Sequence, residues 1–441
     1  MVFNNVEVSY ETYSNDIKMI NYKKENKYIL ISSILFFLIP IALISGPFLP
    51  DLFLTIISLN ILFLMYSNKE LNHFNTKYFY FFLIFCFVIT IISLISSNYF
   101  SIKSSLFYFR FGLFTVASYY LIKSNKLILK YLLSLFIIIY IILFFDTIYQ
   151  FFFSENILGF KYINEQNFRI TSFFGKDEVL GSYTARLFPL LIFLIIYNES
   201  YIFSKYNKLI ITSLTVTSFT VVLLSGERTS LALFILCLIF IFFSSFKMRK
   251  IFILPIVLII IVSIISISFS EKIKNRIVTT TIKQLGLNTE SDRLVIFSPT
   301  YEGHYLISYN MFKEKPLFGH GPKAFRFYCS KEENYVAENA CTTHPHNFYA
   351  QMLAELGLFG FITISSIFIL TIVLFLKNFY FQIFQKKQYL SNLAVCLLSS
   401  IFITLFPFLP SGNFFNNWLS IIIYYPLTFL LYIIKEKKFY A

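Results

Sequence analysis

The sequence predicts an all-α, polytopic integral membrane protein of about twelve transmembrane helices, with a large outward-facing helical loop between helices nine and ten. Three observations predict it. Of 441 residues, 57% are hydrophobic and only 14% are charged, where a soluble domain carries about a quarter. Apolar runs of about 18 residues or more recur along the chain, the length that a helix needs to cross a bilayer. Lys and Arg also alternate from loop to loop, as the charge bias of membrane proteins requires.

The expected spans are 28–46, 48–66, 78–96, 105–122, 129–152, 179–197, 209–224, 229–246, 250–269, 347–376, 392–409 and 415–434. A polar tail, 1–27, precedes them; the first apolar run reads as a retained helix, since no short apolar core with a small-residue cleavage site is present. One set of alternate loops holds Lys23, Lys24 and Lys27, Lys69 and Lys77, Lys123, Lys126 and Lys130, and Lys205 and Lys208. The same set continues with Lys247, Arg249 and Lys250, with Lys377, Lys386 and Lys387, and with Lys435, Lys437 and Lys438. The short loops of the other set hold little beyond Lys103 and Arg228. Both termini are therefore expected in the cytoplasm, with 435–441 a short tail. The net charge of +14 reads as this topology signal and not as a nucleic-acid surface. Residues 28–434 form one transmembrane domain, with an outer loop at 153–178 and a large periplasmic loop at 270–345 expected to pack as a helical cap. No internal repeat marks an inverted-repeat transporter.

Charges inside spans are costly and usually functional. Asp51, Arg110, Asp146, Arg186 and Arg228 all fall in the outer half of their spans. They read either as ion pairs, such as Asp146 with Arg110 or Arg186, or together as a polar cavity open to the outside.

Four of the five histidines (His304, His320, His344 and His346, against His73) lie in or at the end of the large loop. No metal site is read from them. In THPHNFYAQMLAELGLFGF, residues 343–361, Pro345 suits a helix N-terminus. That places His346 in the first turn, where the positive helix end lowers an imidazole pKa and attracts phosphate. A neutral histidine there is a candidate general base. Gly357 and Gly360 follow on about the same face and would let another helix approach. A pyrophosphate needs arginine forks: Arg228 in SGERTSLA and Arg293 in SDRLVIF are the leading candidates, with Arg169 and Arg276 behind them.

Cys86, Cys237 and Cys396 fall in separate spans and read as apolar fillers. Cys329 and Cys341 share the outer loop, twelve positions apart. An oxidising compartment predicts a disulfide ahead of His346, with free thiols as the alternative.

His346-Asn347, nine residues, then Gly357-Leu358-Phe359-Gly360 resembles the signature of the O-antigen ligase and polymerase superfamily of membrane glycan transferases. MFKEKPLFGHGPKAF (311–325), RTSLA from Arg228 and RITSFFGKDEVLGSY (169–183) resemble further stretches of that family, so the likeness covers most of the chain beyond about 165. The resemblance implies metal-independent, inverting glycosyl transfer without a cofactor, at the periplasmic side of a bacterial inner membrane. The donor would be a glycan on undecaprenyl pyrophosphate; the acceptor would be a hydroxyl of the lipid A core, a growing glycan or a protein. His346 would take the acceptor proton. Arg228 and Arg293 would hold the pyrophosphate, with Arg276 competing for the second place. Asn347, Gly357, Gly360, Arg110, Arg186 and Arg169 would support the site. Ligase, polymerase and protein O-oligosaccharyltransferase stay open on the sequence. A lipid-linked glycan transporter is the reading from another class, and Glu355, deep in its helix, is the feature that leans that way.

Overall fold

The computed structural model describes residues 27–161, 168–199, 206–284 and 298–441. The protein is an all-α polytopic membrane protein. Ten helices are long and apolar enough to cross a membrane. The first six spans comprise α1 (Lys27–Ser45), α2 (Phe48–Ser67), α3 (Lys77–Ser96), α4 (Tyr99–Leu106) running into α5 (Arg110–Ser124), α6 (Leu127–Phe153) and α7 (Leu180–Tyr197). After α8 (Asn207–Leu224) comes the shorter apolar α9 (Arg228–Ser244), then α10 (Phe246–Phe269). The outer segment carries α11 (Glu271–Ile273), α12 (Thr280–Gln284), α13 (Pro299–Glu314) and α14 (Phe325–Tyr328). The long α15 (Phe348–Phe384), the shorter apolar α16 (Asn392–Thr404) and α17 (Asn417–Lys435) complete the bundle. With the two shorter apolar helices counted, the described residues hold twelve apolar helices, ten of them long enough to span.

Short polar side chains set several helix starts. Thr76, Asn98, Ser245, Ser391 and Asn416 each accept from a backbone N–H of the first turn, satisfying donors that have no partner within the helix. The span expected at 105–122 is divided instead. The chain breaks after Leu106, and Arg110 donates from Nη1 to Phe107 O at 2.8 Å across the break.

Burial separates centre from rim. Of the most apolar window of α7, 83% is buried, against 22% for α10 and 17% for α15. α7 packs on α6, α8, α9, α16 and α17 and fills the middle, while α10 and α15 leave most of their apolar surface outward, as a lipid-facing helix can. A second small core (Ile307, Met311, Phe325, Cys329, Ala340 and Ala354) forms where α13 and α14 settle on α15. Cys329 and Cys341 are joined beside it, their Cα atoms 5.2 Å apart.

The expected pairing of Asp146 with Arg110 or Arg186 does not form. Arg110 pairs with Asp51 of α2, Nε to Oδ1 at 2.9 Å and Nη2 to Oδ2 at 3.3 Å. Asp146 instead accepts from Ile157 N at 2.9 Å and from the Ser172 hydroxyl. Its carboxylate therefore folds the outer loop back onto the end of α6, where Gln150 also accepts from Ser172 N at 2.7 Å. Backbone donors lie closer in the chain than any guanidinium and satisfy a buried carboxylate as well.

Candidate active site

The site gathers over one end of the bundle around the start of α15. Asn347 is the N-cap of that helix, its Oδ1 accepting from Tyr349 N at 2.9 Å and Ala350 N at 3.1 Å. Its Nδ2 donates to Pro407 O at 2.7 Å, in the turn after α16. Asn347, and not Pro345, therefore starts the helix, and His346 stands immediately outside the first turn instead of within it. His346 has φ 52°, a left-handed conformation uncommon for a side chain with a Cβ. The contacts on either side hold it there: its carbonyl accepts from Ser411 N at 2.8 Å, and Asn347 is fixed from two directions.

Around the imidazole of His346 lie three aromatic rings. His344 is at 4.1 Å between ring centroids, His304 at 5.4 Å and Tyr301 at 5.9 Å. His304 is buried on α13 and donates from Nδ1 to Ala340 O at 2.6 Å, since a carbonyl can only accept. The ring of His346 makes no hydrogen bond to a described residue, so its nitrogens are open to a ligand. Burial, and then the neighbouring His304, push its pKa down to about 4. The direction is the one expected for a neutral imidazole, and its causes are desolvation and a second histidine. His344 is lowered further, to about 3, by burial and then by His346.

Within electrostatic reach of Tyr301 is a group of arginines. Gly226, at φ 69°, turns the chain between α8 and α9, and a Cβ there would meet Phe168 O at 2.5 Å. That close turn lets Arg228 open α9 beside the outer segment, reaching Thr281 Oγ1 at 3.4 Å. A π-helical turn, Lys274–Thr279, carries Arg276, which donates from Nε to Gly226 O at 3.1 Å. Burial and then the like charges of Arg169 and Arg228 push Arg276 down to about 10. Such mutual repulsion is the electrostatic signature of a place that favours an anion. Tyr301 interacts electrostatically with both Arg228 and Arg276. Arg169 also pairs with Glu178 at 3.6 Å. Glu227 is not the partner of Arg228. It accepts from Gly181 N, Ser182 N and Ser230 Oγ at 2.6, 3.1 and 2.8 Å, so it caps α7 and leaves the neighbouring guanidinium to other ligands.

Among the other expected residues, Arg186 donates to Thr404 Oγ1 at 3.2 Å and Ser182 Oγ at 3.3 Å, and Arg110 is held by Asp51. Both are engaged in the bundle. Arg293 lies outside the described residues. Gly357 does not receive another helix. It breaks α15 with φ 61° and ψ −150°, and the backbone of the Pro316–Gly321 stretch docks there: Leu358 N donates to Pro316 O at 2.8 Å and Gly321 N to Glu355 O at 2.8 Å. A Cβ on Gly357 would lie 2.6 Å from Pro316 O. A Cβ on Gly360 would strike Leu356 of its own preceding turn, so that glycine relaxes the same break. Glu355, fully buried, accepts from Lys323 N at 2.8 Å, Phe325 N at 3.3 Å and Gln351 Nε2 at 3.0 Å. It anchors the incoming loop.

Tyr301 and the turn after α16 were missed in the sequence. The spacing of Tyr301, His304, Tyr305 and Ser308 on one helical face is the signal that could have found the former. Pro407 and Ser411 carry no local signal, since they act through backbone atoms.

Fold and site define a polytopic membrane protein with a histidine–arginine site over one end of its helix bundle. Residues 213–365 match the family model for O-antigen ligase. The matched stretch contains Arg228, Arg276, Tyr301, His304, His346 and Gly357. It supports O-antigen ligase- or polymerase-type function in general terms. No curated protein sequence matches the chain.

Proposed function

We propose that the protein transfers a glycan from undecaprenyl pyrophosphate to an acceptor hydroxyl, with the lipid A core as the acceptor, on the outer face of the inner membrane. The observation that carries this reading is that Tyr301 neighbours the ring of His346, which makes no hydrogen bond to a described residue, and also lies within electrostatic reach of Arg228 and Arg276. The anionic pyrophosphate lies against the guanidiniums, and Arg293, outside the described residues, is the further arginine proposed for it. The acceptor oxygen attacks the anomeric carbon opposite the leaving group, so the configuration inverts. The bond from that carbon to the pyrophosphate oxygen breaks and His346 takes the hydroxyl proton. The arginines hold the charge that develops on the leaving group, the task to which preorganised cations contribute most. The chain's own residues suffice for these steps, so no metal is invoked.

Glu355, the feature that leaned toward transport, accepts from two backbone donors of the incoming loop and from Gln351 of its own helix, which favours transfer over transport. The purified protein should move a glycan from its undecaprenyl pyrophosphate carrier to a lipid A core acceptor without added metal, read as a mass increase of the core. Extension of the glycan on its own carrier, with the core untouched, would replace ligase by polymerase.

A further inference from the structure

At the opposite end of α9 from Arg228, α7, α8 and α10 enclose a cavity of about 270 Å³. Its mouth carries Lys208, Lys247, Lys250 and Glu199; Ile211 and Ile251 are among its apolar lining. A helix of this length separates it from the candidate active site by roughly 25 Å. Glu199 is occupied by Lys247, Oε2 to Nζ at 2.6 Å. Lys208 and Lys250 make no hydrogen bond or ion pair with any described residue. The mouth thus holds two uncompensated ammonium groups over an apolar floor.

The surface beside it continues the pattern. Lys247 and Lys250 stand at helical spacing from Leu254, Val257, Ile261 and Ile264, and those four are 56, 47, 45 and 61% exposed. Positive charge at the helix end therefore runs directly into a bare apolar stripe along α10. A phosphate headgroup fits the first and an acyl chain the second, and basic pockets between spans at the membrane surface recognise such lipids. We propose that this cavity binds an anionic glycerophospholipid, its phosphodiester between Lys208 and Lys250 and an acyl chain along α10. The inference stands apart from the transfer reaction.

The test uses the full chain in nanodiscs of phosphatidylcholine, alone or mixed with phosphatidylglycerol, with retained lipid counted by native mass spectrometry after extraction. Phosphatidylglycerol should be retained by the parent and by Lys208→Arg/Lys250→Arg. Lys208→Ala/Lys250→Ala should hold it roughly twentyfold more weakly, at about a factor of five for each lysine, with its thermal unfolding in phosphatidylcholine unchanged. Equal retention by the alanine variant and the parent would overturn the proposal. Equal stabilisation of the parent by inorganic phosphate would overturn the lipid assignment.

Discussion

Tyr301 stands edge-on to His346, ring centroids 5.9 Å apart at 61°, and it also lies within electrostatic reach of Arg228 and Arg276. This ring is the spacer between the proton acceptor and the anion site, and its effect should be chiefly geometric. Tyr301→Ala should lower kcat/KM for glycan transfer by about a hundredfold, the scale of a displacement of about 1 Å. Tyr301→Phe, which keeps the ring, should stay within about tenfold of the parent. Steady-state rates of both variants check this; equal losses would mean that the phenol oxygen itself acts.

The pH dependence should follow the environment of His346. Its pKa is held near 4 by burial and by His304, so the imidazole stays unprotonated well below its ordinary 6.5. The acid limb of kcat/KM should fall below 6.5, and His304→Gln should move it upward by removing the smaller cause. Stability carries the same sign. The unfolded chain binds the proton first, so the contribution is full above 6.5 and is lost as the pH falls toward 4. A pH–rate profile checks the first statement and thermal unfolding across that window the second. An acid limb at or above 6.5 would contradict both.

Gly357 joins α15 to the docked Pro316–Gly321 stretch, and its substitution should show in stability before activity. Gly357→Ala forces a Cβ into a left-handed position 2.6 Å from Pro316 O and should cost on the order of 3 kcal/mol. Gly412→Ala is the control: its Cβ would meet only the end of the Leu419 side chain at 3.3 Å, and the cost should stay below about 1 kcal/mol. Thermal unfolding in detergent distinguishes the two. Similar midpoints would mean that the break at Gly357 is not held by the loop.

The spans were legible because the bilayer imposes length and charge rules on local sequence. The positions of Lys69 and Lys77, or of Lys247 and Lys250, are read from sequence alone, whatever tertiary contacts they make. The disulfide was legible for a similar reason: Cys329 and Cys341 are the two cysteines that fall outside the apolar spans. His346 and Asn347 were legible as a motif, but their conformation was not, because it depends on Pro407 and Ser411 more than fifty positions away. Gly357 was read as a helix contact because a glycine in an apolar run is silent about whether a helix or a loop approaches it. An ion pair was one of two readings for Asp146, because sequence shows charges and hides the backbone N–H of Ile157 and the folded-back Ser172 hydroxyl that it accepts from. Tyr301 is one of 31 tyrosines, and beyond its helical spacing with His304 it is the packing of α13 on α15 that singles it out.

The central claim is that His346 accepts the proton of the acceptor hydroxyl. The most direct measurement is the transfer rate of purified His346→Ala beside the parent, from a lipid-pyrophosphate glycan to a lipid A core acceptor, without added metal and at matched folding. The account predicts an active parent and at least about a hundredfold loss in the variant. A variant as active as the parent would make His346 a structural residue and contradict the mechanism.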